Sequence, residues 1–390
     1  MTAADRNDRE IRPRVRREPA DSGDGRPVLI TGGAGFIGSN VADRLLGDRR
    51  DVIVFDNLSR EGVERNLTSL RARHGDRLIV QIGDVRDRRA LTRAVALAGE
   101  IYHFAAQVAV TTALLDPAED FEINALGTLN LLEAMRGIEH SPTLLFTSTN
   151  KVYGPLGDIP VKRSGDRYVP RDRAIRSAGI GEDRPLEFHS PYGCSKGTAD
   201  QYVLDYARSY GLPAAVFRMS CVYGPRQCGT EDQGWVAHFL MRALDGRPIT
   251  LFGDGRQVRD ILYVDDLVEA CLIAQRKMGA LSGTAFNIGG GPGNTTSLLE
   301  LVDRIARLCR RRPEVSFEPW RIGDQRYYVS DITRFASSTG WAPKVSVEVG
   351  LGRLHAWLVG ARGEPRTWPA IGTGGPLVEE AGVAAAEELA

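Results

Sequence analysis

The chain has 390 residues, 42% hydrophobic and 26% charged, with 50 Lys and Arg set against 50 Asp and Glu. That length suits two to three units of about 150 residues, or one large α/β domain with an added lobe. The balanced charge argues against a nucleic-acid-binding protein, which carries a basic excess, and no run reaches the ~18 apolar residues of a membrane helix.

Residues 1–26 alternate Arg with Asp and Glu and lack an apolar stretch, so they read as a disordered leader and not as a signal peptide. From Pro27 the pattern changes. Short apolar, often β-branched runs at 27–31, 51–55, 78–81, 100–104, 143–147 and 214–218 predict buried parallel strands. Helical stretches at 36–46, 121–135 and 192–210 fall between them. This alternation predicts an α/β fold, a doubly wound parallel (Rossmann) sheet spanning 27–220. After Arg218 the rhythm loosens, and helices at 233–244, 264–275 and 297–310 predict a smaller C-terminal α/β substrate lobe over 221–361. Chain segments are expected to cross between the two lobes. Residues 362–390, rich in Gly, Pro, Ala and Glu, read as a flexible tail with a short helix near 383–389. Five Cys without a C-x-x-C pair fit a reduced, cytoplasmic protein with no metal site.

The first strand runs into Thr31-Gly-Gly-Ala-Gly-Phe-Ile-Gly38, where Gly32, Gly35 and Gly38 fall three apart and Phe36 and Ile37 open a helix. Small residues let the backbone approach a pyrophosphate, and the helix N-terminus supplies N–H donors and partial positive charge. Asp56 ends the second strand, with Asn57 beside it. A carboxylate there accepts both ribose hydroxyls and repels a 2′-phosphate, which favours NAD over NADP, although Arg60 nearby keeps NADP open. Asp84 and Val85 close the third strand, suited to the adenine edge. Ala105, Ala106 and Gln107 close the fourth and leave room for the cofactor. His103 lies within that strand and reads as a core histidine.

Tyr192 and Lys196 stand one helical turn apart, so phenol and ammonium share a helix face. Ser190 suits the cap and Pro191 the first turn. A neighbouring cation favours the phenolate and makes Tyr192 usable as a general base near neutrality. Thr149, after the fifth strand, is placed to hydrogen-bond the reacting hydroxyl, with Ser148 as the alternative.

Taken together, the glycine loop, Asp56, Asn124-Ala-Leu-Gly-Thr128, the Thr149–Tyr192–Lys196 set, Val222-Tyr-Gly-Pro-Arg226 and Gly253-Asp-Gly-Arg-Gln-Val-Arg-Asp260 resemble the extended short-chain dehydrogenase/reductase superfamily of nucleotide-sugar enzymes. Three segments resemble its CDP-paratose (CDP-tyvelose) 2-epimerases: 148–154, 186–202 and 232–236. The resemblance implies tightly held NAD, transient oxidation of a ring hydroxyl, re-reduction from the other face, and C2 of a CDP-hexose as the reacting carbon. It implies Lys196 on the nicotinamide ribose, Arg259 and Arg326 on the substrate diphosphate, and a homodimer or homotetramer. Thr111, Thr112, Thr149, Asn150 and Cys221 are expected to line the sugar pocket, and 155–190 to cover it. Two positions depart from relatives. Where 4,6-dehydratases carry Asp-Glu after the Thr, this chain has Asn150 and Lys151, and Cys221 replaces the Asn usual in 4-epimerases and dehydratases. A 4-epimerase, decarboxylase or 4,6-dehydratase on the same scaffold is the alternative reading; a non-catalytic NAD-binding protein is a third.

Overall fold

The computed structural model describes residues 25–363, with side chains to 360; the leader before residue 25 and the tail after 363 lie outside the described residues. Seven parallel strands form the central sheet. In spatial order they are Ala285–Ile288, Ala214–Met219, Thr143–Thr149, Glu100–His103, Val28–Thr31, Val52–Asp56 and Leu78–Ile82. The inner strands are buried along their whole length, as expected of a sheet covered on both faces. One face packs Val41, Leu45, Leu67 and Leu267 against Ile30 and Val54. The other packs Leu91, Leu131, Val203 and Leu204 against Leu29, Ile101 and Phe146.

Six of these strands match the sequence reading. The seventh, Ala285–Ile288, comes from the region assigned to the smaller lobe and pairs in parallel with Ala214–Met219. The helix Val264–Arg276 crosses back with it: Gln275 Nε2 donates to the Ile101 carbonyl and its Oε1 accepts from Thr143 Oγ1, at 2.8 and 2.7 Å. The predicted helix at 121–135 is broken by a π turn, Glu122–Leu126, before Gly127–Arg136. There the Asn124 side chain reaches inward, and Nδ2 donates to Ser195 Oγ at 3.1 Å.

The smaller lobe has its own core, around Phe239, Leu240, Ile261, Leu301 and Leu354. Val258–Tyr263 is its hub, pairing in parallel with Cys221–Tyr223 and Tyr327–Tyr328 and antiparallel with Thr295–Ser297. The expectation that 155–190 covers the pocket is not met. None of its residues lines the cavity; the segment includes a hairpin, Val161–Ser164 with Arg167–Pro170, that docks on the smaller lobe. Arg167 there binds Glu300 through two bonds of 2.6 Å, and Tyr168 OH donates to Asp254 at 2.7 Å.

The order of the strands reverses between Val28–Thr31 and Glu100–His103, so the crevice outside their carboxyl ends opens at this switch point.

Candidate active site

A cavity of about 560 Å³ fills that crevice and runs from the glycine loop to the smaller lobe, within the size range of small-molecule sites. At the loop, Gly32 has φ +68°, and a Cβ there would lie 2.7 Å from the Ala105 nitrogen; a Cβ on Gly38 would lie 2.2 Å from the Gly32 carbonyl oxygen. The turn therefore closes tightly only with glycine at these positions. Gly35, Phe36 and Ile37 line the cavity beside them.

Backbone N–H groups hold Asp56 in place: Ala34 donates to Oδ2 at 3.0 Å and Leu58 to Oδ1 at 2.9 Å. Burial nevertheless raises its pKa. Asn57 Nδ2 donates to Asp84 Oδ2 at 2.9 Å, and two bonds from Arg86 help hold the Asp84 carboxyl down at about 2. Val85, Ala105 and Ala106 also face the cavity. Gln107 does not. Its side-chain amide is turned to the Ala109 carbonyl and to Asp120, on the helix Pro117–Phe121 just before the π turn, each at 2.8 Å. His103 is fully interior, sharing hydrogen bonds with Thr31 Oγ1 (2.6 Å) and Thr128 Oγ1 (3.1 Å). Burial, aided by Lys196, pushes it down to about 3.

Thr149, Tyr192 and Lys196 come together on one wall. The 3₁₀ turn Asn150–Tyr153 follows Thr149 directly, and Lys151 N–H donates to Thr149 Oγ1 at 3.2 Å. The helix Ser190–Tyr210 carries the other two, with Gly193 N–H donating to Ser190 Oγ at 3.3 Å. Thr149 and Tyr192 share a hydrogen bond, but burial dominates and pushes Tyr192 up to about 12. Lys196 Nζ sits 4.3 Å over the Phe146 ring, and burial brings it down to about 7. The expected lowering of Tyr192 by its lysine is therefore not met by these side chains alone: desolvation raises it. Below, Arg218 holds Asp200 through two bonds of 2.9 Å, both side chains buried, clamping this helix to the sheet.

Beyond the triad, Thr111, Asn150, Cys221 and Arg259 line the cavity, and Thr112 does not. Asn150 Nδ2 donates to Gln325 Oε1 at 3.0 Å, and Trp235 Nε1 donates to Cys221 Sγ at 3.3 Å. Arg326 is exposed and sits 5.8 Å over the Tyr168 ring, outside the cavity. The next strand, Tyr327–Tyr328, directs it toward the docked hairpin. Arg321 lines the cavity instead, stacked 3.6 Å over Phe252 and paired with Asp232 at 3.1 Å. Sequence reasoning placed Asn150, Cys221 and Arg259 on this wall but assigned no role to Lys151, and it missed Arg321 and Asp324.

Two buried hydroxyls on this cavity, Ser148 Oγ and Thr111 Oγ1, have no hydrogen-bond partner among the described residues. Together with the tight glycine turn and the oriented carboxylates Asp56 and Asp84, they fit a bound dinucleotide and a polar ligand beyond it.

Residues 28–289 match the NAD dependent epimerase/dehydratase family. The chain is 42% identical over 337 residues to CDP-paratose 2-epimerase of Salmonella typhi, spanning 85% of this chain and 98% of that protein. Its structure is similar to UDP-glucose 4-epimerase of Thermus thermophilus in complex with NAD, with TM-score 0.72, 34% identity and coverage of 86% and 99%. It is also similar to UDP-glucose 4-epimerase of Thermotoga maritima with UDP-glucose, with TM-score 0.73, 34% identity and the same coverage. By fold, cavity and sequence, the chain belongs to the NAD dependent epimerase/dehydratase family.

Proposed function

We propose that this protein is an NAD-dependent epimerase that inverts C2 of a CDP-activated hexose. The observation that carries this reading is the wall on which Thr149, Tyr192 and Lys196 meet, with Asn150 and Lys151 immediately after Thr149. An elimination across C5 and C6 needs a carboxylic acid and a carboxylate at those two positions. An amide bonded to Gln325 and an ammonium bonded to the Gly323 carbonyl supply neither. The likeness to CDP-paratose 2-epimerase favours a cytidine diphosphate and the second carbon.

Gly32, Gly35, Phe36, Ile37, Gly38, Asp56, Asn57, Asp84, Val85, Ala105 and Ala106 would hold NAD, which when bound supplies a reversible hydride acceptor and a positive charge. Asp56 would accept the ribose hydroxyls. Thr149 would hold the reacting hydroxyl and pass its proton to Tyr192, whose phenolate is the base. Lys196 would bind ribose and stabilise that phenolate. The C2 hydrogen leaves with its electron pair, giving a 2-keto sugar. The sugar then presents its other face, the electron pair and hydrogen return to C2, and Tyr192 gives the proton back to oxygen. Atoms and electrons balance without an external reductant.

A homodimer is supported by exposed apolar side chains on two neighbouring helical segments, Phe121 and Leu126 on one and Tyr202 and Tyr210 on the other. A cytoplasmic location is supported by the five cysteines, none of them in a disulfide. Incubation with CDP-paratose in deuterated water tests the reading. From CDP-paratose the C2 epimer should form without deuterium on the sugar; no conversion, or a 4-keto-6-deoxy product carrying deuterium from CDP-glucose, which keeps its C6 hydroxyl, would overturn the reading.

A further inference from the structure

The sugar end of the cavity holds an unusual charge arrangement. Lys151 Nζ donates to the Gly323 carbonyl at 3.0 Å and lies 3.6 Å from Asp324 Oδ1. Arg259 Nη2 approaches the same oxygen at 3.7 Å. Both cations line the cavity, with only 21% and 9% of their side-chain surface exposed, and they share one carboxylate. Around Asp324, two cations therefore share one carboxylate, largely screened from bulk water, while Arg321 on the same wall has its own partner in Asp232 at 3.1 Å. Buried charge without a counter-ion is costly, so a wall built this way favours an anionic ligand.

The position of this charge is informative. Lys151 is two residues from Thr149, at the second position of the 3₁₀ turn that Thr149 caps. Thr149 Oγ1 also accepts the Lys151 backbone N–H at 3.2 Å. The group that holds the reacting hydroxyl is thus fixed to the Lys151 backbone, from which the ammonium extends to Gly323 and Asp324 along the same cavity wall. In a hexose linked to phosphate through O1, the C2 hydroxyl is on the neighbouring carbon, whereas the C4 hydroxyl lies across the ring. A phosphate held on the wall beside Thr149 lies nearer through the sugar to O2 than to O4.

We infer that Lys151, with Arg259, grips the sugar-linked phosphate of the substrate and so sets which hydroxyl reaches Thr149 and Tyr192. This rests on the C2 reading above and adds the residue that enforces it. Lys151 is a specificity-determining residue in this account: it touches substrate and not the reacting atoms. Removing its charge should weaken diphosphate binding and spoil the register of the sugar, while leaving the cofactor in place.

The test compares binding of CDP and of cytidine to wild type, Lys151→Gln and Lys151→Arg, each checked for NAD content and thermal unfolding. A charge-assisted hydrogen bond to phosphate corresponds to roughly 10- to 100-fold in affinity. CDP should bind Lys151→Gln weaker by that factor, cytidine should bind all three proteins alike, and Lys151→Arg should recover most of the loss. With CDP-paratose, KM should rise in Lys151→Gln by a similar factor and the C2 product should form more slowly. Equal binding of CDP to wild type and Lys151→Gln, or an equal loss for CDP and cytidine, would overturn the assignment. Failure of the wild type to epimerise at C2 would instead sink the functional reading, and the CDP–cytidine comparison would still decide whether Lys151 holds the phosphate.

Discussion

The two ends of the cavity are built on different plans. At the cofactor end, one short stretch of chain does most of the work: Gly32 and Gly38 permit the turn, and the backbone of Ala34 and Leu58 aims Asp56. At the sugar end, side chains arrive from distant segments, Thr149 to Lys151, Cys221, Trp235, Arg259 and Arg321 to Asp324, and ion pairs cross-link them. A site made by backbone tolerates few local changes. One made by assembled side chains can alter its ligand by single substitutions while the fold persists.

The contrast can be broken first at the clamp between the two ends. Replacing Arg218 with Met strands Asp200 as a buried, unpaired carboxylate and should cost about 3–5 kcal/mol of stability. Chemical denaturation of the holoenzyme would measure it. An unchanged midpoint would mean that the catalytic helix is held by other contacts.

A pH effect of comparable size should arise at the cofactor end. Above about pH 6.5 His103 is neutral whether the chain is folded or not, and contributes nothing to pH dependence. Below that, the unfolded chain takes up a proton that the buried ring refuses until about pH 3. Stability should therefore fall across that window by up to the order of 5 kcal/mol. His103→Gln should flatten the decline, as read from denaturation midpoints at several pH values; parallel curves would show that His103 is not the group responsible.

The smallest effects separate two arginines at the sugar end. Arg321→Ala should raise KM several-fold, since that guanidinium lines the cavity. Arg326→Ala should leave KM within about twofold, since its side chain rests on Tyr168 outside it. Steady-state kinetics on both variants would sharpen the boundary of the substrate site, and a larger effect at Arg326 would redraw it.

The same contrast explains what could be read from the residues alone. The strands, the glycine loop, Asp56 and the Thr149–Tyr192–Lys196 set are local patterns, set by periodicity, turn chemistry and helix spacing, and the chain carries them openly. The strand Ala285–Ile288 escaped because it is only four residues long, is interrupted by Asn287, and lies between Gly283 and Gly289–Gly291, so its apolar run is weak. Gln107 looked like a strand-end cofactor residue, but its amide is bound to Asp120 and the Ala109 carbonyl. Arg321 and Arg326 differ only in which way the chain turns before Tyr327, and that direction depends on the hairpin docked on the lobe.

The central claim is that one sugar carbon is oxidised and then reduced again within this cavity by the same pair of electrons. A CDP-hexose carrying deuterium on C2 tests it most directly. The account predicts an epimer that keeps the label on C2. Loss of that label to solvent during epimerisation would contradict it.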